Sequence, residues 1–385
     1  MSPSNRKTTT VRTVAVCIDT RDGAGRKRLH GVSQYARQHG WRMMLVRRED
    51  REAAQEVLRL RPDGIIAYVA DRYLLDAARR LRIPLADTAH GEVEVPLLIS
   101  LDNDIVGRMA AEHLLSMGLQ NFGYCGVRGR SVSEERRAAL ARHLASRGRT
   151  LQAFTQRIAE GESRLDPLIH WLQKLPKPVG VLAFDDKLGE RVLTACRWAG
   201  LAVPGGVAVL GIGDDELMCE VSCPTLSSVS FPTHRLGFEA AAMLDQAMQG
   251  RRIADPHRKI PPTGVAARES TDSVAVADPL IKAAMLLIRQ RAGEPIGVWH
   301  IARALDVSRR TLDRRFSAVF GRTVHDELTA VRMQIARQLL TGGRTPVCEI
   351  AGLCGYTTPA SFSRAFRQHT GRWPTEVRSE ESILP

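Results

Sequence analysis

The chain has 385 residues, 44% of them hydrophobic and 25% charged; that suits two or three soluble domains and leaves no apolar run of the roughly 18 residues a membrane span needs. Its start is basic, but Asp19, Arg21 and Asp22 break the apolar stretch that follows, so no secretory leader is read there and a cytoplasmic protein is expected. A formal net charge of +13 favours a polyanionic partner, nucleic acid first, while saying nothing about fold.

From residue 11 to about 250, short β-branched runs alternate with helical stretches. VAVCI (14–18), GIIAYV (64–69), FGYCGV (122–127), GVLAFDD (180–186) and VAVLGIG (207–213) read as strands. IVGRMAAEHLLSM (105–117) and RVLTACRWAG (191–200) read as helices between them. Continuous apolar strands joined by crossover helices imply parallel sheets covered on both faces. Two α/β lobes are expected, the second beginning near residue 105, with a ligand cleft where the strand-to-helix loops meet. Residues 251–278, with paired prolines, charges and Ser/Thr, read as a connector containing one short strand. From 279 onward the pattern is helical to the end. The expected domains are therefore 11–270, two-lobed α/β, and 279–378, all-α. Seven cysteines are scattered without a Cys-x-x-Cys pair, so reduced thiols are expected, with no metal and no cofactor.

The helical tail contains an internal repeat of roughly 50 residues, a kind of self-similarity that sets architecture. HIARALDVSRRTLDRRFSAVFGRTV runs from His300 to Val324, and EIAGLCGYTTPASFSRAFRQHTGRWP from Glu349 to Pro374. Each copy gives a short apolar helix (Ile301, Ala302, Leu305; Ile350, Ala351, Leu353) and then a tight turn at Asp306 or Gly355. A hydroxyl residue follows, Ser308 or Thr358, suited to capping a second helix, and Pro359 fits the first turn, where its missing N–H costs nothing. The second helices carry apolar anchors four apart, Leu312 with Phe316 and Phe362 with Phe366. Their other faces offer Arg309, Arg310, Asp313, Arg314 and Arg315 in the first copy, and Ser361, Ser363, Arg364 and Arg367 in the second. Such a helix suits a major groove, where arginine can fork onto guanine. Asp313 is expected to accept from a cytosine amino group or to orient a neighbouring arginine. HDELTAVRMQIARQLL (325–340) reads as a rigid strut between two helix-turn-helix motifs. Solvated arginine-rich helices of a plain bundle would explain one copy, but not two with matching turns, caps and aromatics.

With these residues in view, 280–378 resembles the DNA-binding domain of AraC-type regulators, most closely along CGYTTPASFSRAFRQHTGRWPTEVR. The front of the chain resembles the periplasmic-binding-protein-like sensor of LacI-type regulators, through GVSQYAR, the SLDN–AAEHL passage at 100–114, GVLAFDD, VAVLGIGDDEL and CPTLSSVS. Sensor first and AraC-type reader last is the order of XylR-like regulators. The resemblance implies a transcription regulator that binds double-stranded operator DNA, answers to a small sugar-like effector and works as a homodimer. RNA polymerase is a further candidate partner, and no membrane partner is expected.

The resemblance also points to ligand residues on loops after strands. In DTRDGAGR (19–26) these are Asp19 and Arg26; the GAG there fails as a dinucleotide fingerprint because Arg28 stands at the third glycine position. Arg136, in SEERRAAL, matches the family arginine that forks onto sugar hydroxyls. Asp185 and Asp186 end one strand, and Asp214 and Asp215 follow another. The family places an acid where this chain has Gly213, and Asn or Thr where it has Asp185. Asp185 or Asp214 is thus expected to supply the missing acceptor, for a small polyhydroxylated ligand other than xylose. Two rival readings are weighed. The acids at 185–186 and 214–216 could do acid–base work, as in a glycosidase, but no nucleophile elbow, zinc-protease or phosphate-loop motif accompanies them, so no enzyme is expected. A DNA-binding regulator with a vestigial, ligand-unresponsive sensor is the other, which a ligand-dependent footprint would exclude.

Overall fold

The structure, a computed structural model, describes residues 11–21, 23–46, 50–89, 93–156, 165–272, 278–341 and 345–382. The chain divides into two compact units, 1–113 with 120–272, and 114–119 with 273–385.

The front unit contains two six-stranded sheets. Its first lobe starts with β1 (Thr13–Cys17), α1 (Gly23–Gln38), β2 (Arg42–Leu45) and α2 (Asp50–Leu60). It continues with β3 (Gly64–Ala67), α3 (Arg72–Leu81), β4 (Leu85–Asp87) and β5 (Leu97–Leu101). After α4 (Asn103–Ser116) the second lobe is built from β6 (Asn121–Val127), α5 (Ser131–Ala145), β7 (Leu151–Gln156), α6 (Asp166–Lys174) and β8 (Val179–Ala183). α7 (Asp186–Trp198), β9 (Val207–Gly213), α8 (Glu216–Val221) and β10 (Ser227–Ser230) complete its alternation. The chain then returns: α9 (Thr233–Met248) packs on the first sheet, β11 (His257–Ile260) joins that sheet, and β12 (Gly264–Ala266) joins the second.

The sheet orders are β11-β5-β4-β3-β1-β2 and β12-β10-β9-β8-β6-β7. Neighbours pair in parallel, except β12, which runs antiparallel to β10. Every residue of β3, β5 and β8 is buried, as strands covered by helices on both faces must be. Val14, Val16, Ile66 and Ile99 meet Leu236, Ala240 and Leu244 of α9 in one core, each such side chain contributing roughly 1.5–3 kcal/mol when fully buried. α1 and α9 touch backbone to backbone: a Cβ at Gly31 would lie 2.0 Å from the His234 carbonyl oxygen, and one at Gly237 2.0 Å from that of Arg28.

Two expectations change here. The second lobe is not a contiguous block from about residue 105, because α9 and β11 belong to the first. The 251–272 stretch is also more than a connector with one strand: it supplies an edge strand to each sheet and a 3₁₀ turn at Glu269–Thr271. Edge strands need no apolar run, so their sequences read as loop.

The C-terminal unit is helical throughout its described residues: α10 (Pro279–Arg291), α11 (Val298–Ala304), α12 (Arg309–Phe320), α13 (Val324–Thr341), α14 (Val347–Leu353), α15 (Pro359–Thr370) and α16 (Pro374–Ser382). It has two cores. Ile281, Met285, Ile288, Ile301, Leu312 and Phe316 gather around Val324 and Leu328 of α13. Ile350, Phe362 and Phe366 gather around Met333, Ala336 and Leu340 of the same helix. The strut read at 325–340 is thus one helix serving both cores. Leu353, read as apolar filling, is 53% exposed, and the next residue, Cys354, fills the core instead. Among the described residues no helix is long and apolar enough to cross a membrane.

Candidate DNA interface and ligand cleft

The two candidate recognition helices are built alike. Ser308 accepts from the Thr311 amide at 3.1 Å and Thr358 from the Ser361 amide at 3.2 Å, each satisfying an N–H that the first helical turn leaves without a partner. Leu312 and Phe316 pin α12 from inside, Phe362 and Phe366 pin α15, and all four are fully buried. Gly321 and Gly371 end the helices in the left-handed region, at φ +67° and +77°, where glycine pays no steric penalty. Arg309, Arg310, Arg314 and Arg315 are exposed on α12, as are Arg364 and Arg367 on α15, while Ser361 and Ser363 are half-buried. Asp313 accepts a long hydrogen bond from Arg309 Nε at 3.4 Å, so in this structure it orients an arginine. Arg315 forks onto Asp278, with Nε and one terminal nitrogen at 2.7 and 2.6 Å from its two oxygens. Arg367 lies over Trp373, its guanidinium carbon 4.5 Å from a ring centroid.

In the front unit, loops past the carboxyl ends of the strands are where parallel sheets bind ligands. Asp19 follows β1 and takes Arg21 Nε at 2.9 and 3.0 Å on its two oxygens. Partial burial pushes this carboxyl up, but the hydrogen bonds from Arg21 and the charges of Arg21 and Lys187 prevail and hold it below its ordinary range. Lys187 belongs to α7, so that last charge acts between the lobes. Arg26 is exposed and turned back on its own loop, donating to the Thr20 and Arg21 carbonyls at 3.0 and 3.3 Å.

Arg136 of α5 is buried. Its Nε donates to Asn103 Oδ1 at 3.1 Å, a terminal nitrogen donates to the Phe184 carbonyl at 2.5 Å, and the guanidinium lies 4.9 Å over the Phe184 ring. Asp185 caps α7, accepting from the Leu188 amide at 2.8 Å. Asp214 turns into the second sheet, where it accepts from Arg268 at 2.8 Å and from Ser230 Oγ at 2.6 Å. Asp186 is buried and accepts from Ser228 Oγ at 2.5 Å and from the Asp215 amide at 2.9 Å. Burial, with Asp185 and Asp214 nearby, outweighs these bonds and pushes its carboxyl up to about 6. Asp215 joins the lobes: its Oδ2 accepts from the Gly23 amide at the start of α1, at 2.8 Å. A cavity of about 460 Å³ lies elsewhere, lined by Leu75, Arg79, Leu85, Glu94 and His257; it contains none of the candidate residues, and strand-end geometry rather than size singles out the cleft.

Comparison with known proteins agrees with both halves. Residues 111–271 match the family described as "Periplasmic binding protein-like domain" and 301–380 the "Helix-turn-helix domain" family. The chain is 28% identical over 378 residues to the xylose operon regulatory protein of Haemophilus influenzae, covering 95% of this chain and 97% of that one. It is also 28% identical over 370 residues to the protein of the same name from Escherichia coli K12, covering 93% and 94%. A solved structure described as the xylose-binding transcription activator xylR superposes with a TM-score of 0.59 at 24% identity, over 96% of this chain and 98% of that one. The chain is a XylR-like DNA-binding transcriptional regulator.

In this XylR-like regulator the structure redistributes the cleft's acids. Asp214, expected to supply the acceptor that Gly213 lacks, is bound to Arg268 and Ser230, and Asp185 is engaged as a helix cap. The carboxylate beside Gly213 is that of Asp186: a Cβ at position 213, where φ is +138°, would lie 2.7 Å from its Oδ2. An acidic side chain at 213 would therefore meet a carboxylate already in place. Two aromatic residues escaped sequence reading. Tyr68 directly follows β3 and carries the Arg28 guanidinium 4.3 Å above its ring; Phe184 directly follows β8 and carries Arg136. Their signal was positional, an aromatic in the first place past a buried strand. Among the described residues no group of three or more His, Cys, Asp or Glu is placed to hold a metal ion.

Proposed function

We propose that the regulator reads operator DNA with both α12 and α15, and that a small sugar bound between the lobes of its front unit controls that reading. The observation that carries the sugar reading is the Arg136 cluster. A buried guanidinium, fixed by Asn103 and the Phe184 carbonyl and backed by an aromatic ring, presents its remaining terminal nitrogen to a ligand hydroxyl with little freedom left to lose. The names of the xylose-related relatives support a sugar effector, and Gly213 with Asp185, where the resemblance expects an acid and Asn or Thr, supports a polyhydroxylated ligand other than xylose. Asp19, Arg26, Arg136, Asp185 and Asp214 are the ligand residues of this reading, with Asp214 held by Arg268 and Ser230 until a ligand competes for it. Ligand binding favours the closed arrangement that the Asp215–Gly23 contact already bridges, a population shift rather than a new fold.

The DNA residues of this reading are Ser308, Arg309, Arg310, Asp313, Arg314 and Arg315 of the first motif, and Thr358, Ser361, Ser363, Arg364 and Arg367 of the second. The domains are 11–270 for sensing and 279–378 for reading. The regulator acts in the cytoplasm as a homodimer through its front unit, which exposes Trp198 on α7 and Leu217 and Val221 on adjoining α8, at 71%, 65% and 67%. Contact with RNA polymerase belongs to the same reading, and transcription in vitro tests it. The deciding experiment is a thermal-shift screen of pentoses, hexoses and polyols, repeated on Arg136→Ala, with footprinting of any active sugar. One sugar should raise the midpoint of the native chain alone and change its footprint. No response to any sugar would defeat the effector reading, and tight calorimetric binding of xylose would defeat its finer part.

A further inference from the structure

We infer that Arg332 is the positioning residue that sets the spacing between the two recognition helices, so that both motifs act as one rigid reader. Arg332 stands mid-way along α13 and is 9% exposed. Its guanidinium donates to three main-chain carbonyls of one short turn: Nε to Ala292 at 2.9 Å, and a terminal nitrogen to Glu294 at 2.7 Å and Ile296 at 2.8 Å. That turn ends α10 and launches α11, so it fixes where the first motif begins. Three carbonyls converging on one planar donor define a position in a way that a flexible ammonium could not.

The other face of the guanidinium belongs to the second motif. It lies 5.3 Å over the ring of Tyr356, and that ring meets Phe362, the inner anchor of α15, edge-on at 5.7 Å. The turn between α14 and α15 is pressed against the same carbonyls. A Cβ on Gly355 would stand 2.3 Å from the Glu294 oxygen, 2.6 Å from that of Ala292 and 2.7 Å from Arg332 itself. One on Gly293 would stand 2.9 Å from the Leu353 oxygen. The two motifs thus share a backbone-to-backbone contact with Arg332 bound into it. Among the described residues the two apolar cores share only Ile335 of α13, so the contact around Arg332 is the main link between the motifs outside the shared helix.

The consequence concerns spacing rather than base reading. Two tethered readers gain affinity only when their geometry lets both engage together. One inserted base pair moves the second target by about 3.4 Å along the axis and about a tenth of a turn around it. A rigid reader cannot follow that change, whereas a loosely hinged one can.

The inference rests on both helices engaging DNA, and the test separates the two ideas. Duplexes selected from a randomised pool by the full-length native chain are footprinted to locate the two contacted segments. One, two and five base pairs are then inserted between them, and each segment is also offered alone. The native chain should lose about 100-fold in affinity at the first insertion. Arg332→Ala should bind the uninterrupted site about 10-fold less well yet lose under about 5-fold on insertion, with single-segment binding unchanged. Arg332→Lys, which keeps the charge but not the fork, should behave like the alanine variant. If Arg332→Ala does not fold, Tyr356→Leu and Gly355→Ala should relax the same penalty from the other side of the contact. Folded variants that keep the native spacing penalty would overturn the inference, as would parallel loss of single-segment binding. A native chain indifferent to insertion while both segments are footprinted would overturn this inference alone, whereas a footprint over a single segment would overturn the two-helix reading on which it rests.

Discussion

The two helix-turn-helix motifs share a skeleton and differ in what they expose. Fifty positions apart, Ser308 answers to Thr358, Leu312 to Phe362, Phe316 to Phe366 and Gly321 to Gly371, and each pair does the same physical work in its helix. The outward positions diverge: Arg310 faces Ala360, Asp313 faces Ser363, and Arg315 faces Ala365, which packs partly buried against the second core. Placement of a recognition helix is thus fixed by a cap, two buried anchors and a closing glycine, leaving the other exposed positions to vary. The first motif is the more highly charged, yet two of its arginines are partly occupied by acids of the same unit, Arg309 by Asp313 and Arg315 by Asp278.

The strongest way to break the equivalence is to remove an anchor. Phe316→Ala and Phe366→Ala each open a cavity in a core whose other members cannot close on it, and each should cost about 3–5 kcal/mol. Thermal melts of the two variants should agree within about 1 kcal/mol if the skeletons are equivalent. A large disparity would show that one motif leans on the other.

Exchanging the question from placement to reading, Arg314→Ala and Arg364→Ala should each leave the melt near that of the native chain. Each should relax base preference by about 1–3 kcal/mol, at different positions of the site. Selection of bound sequences from a random pool measures this directly. If both variants relax the same position, the helices do not read separate segments.

Removing a cap is a smaller change. Ser308→Ala and Thr358→Ala should each destabilise the C-terminal unit by about 1 kcal/mol, and the double variant by about the sum, because the caps share no partner. Denaturant titration resolves these differences.

The contrast also explains what was legible beforehand. Caps, anchors and left-handed glycines are local devices, and their repetition made the reader readable from sequence. In the front unit β1, β3, β6, β8 and β9 were readable for the same reason, as unbroken apolar runs, whereas the equally buried β4, β5 and β10 are short or interrupted by Asp or Ser and were not read as strands. β2, β7, β11 and β12 were not, because each is substantially exposed and lacks such a run. Nor could the return of α9 and β11 to the first lobe be read, since a strand's sequence does not name its partner. The cleft's acids were visible as residues but not as contacts: Asp214 finds Arg268 from 54 positions away, and Asp186 sits under Gly213 only because β8 and β9 are neighbours in the sheet.

The smallest expected effect is the most specific to the first motif. Asp278 caps α10, accepting from the Leu280 amide at 3.0 Å, while both its oxygens hold Arg315. Its site is partly desolvated, which pushes the carboxyl up, but the hydrogen bond from Arg315 prevails and holds it below its ordinary range. For an acid lowered in this way the stabilisation is fully present above the unfolded value of about 3.9 and is lost as pH falls through the folded value. The pair is therefore intact at neutral pH, and acidification toward pH 3 should weaken it. Asp278→Asn should remove that portion of the acid sensitivity while keeping an acceptor for the cap. It should also release Arg315 toward the DNA backbone at pH 7. One more phosphate contact steepens the dependence of log affinity on log salt by about 0.9, whereas base preference at the first segment should not change. Ala365→Arg in the second motif, at a position packed partly buried against the second core, should burden that core instead of steepening the salt dependence. Equal salt slopes for Asp278→Asn and the native chain would mean that Arg315 is committed to α10 and does not reach DNA.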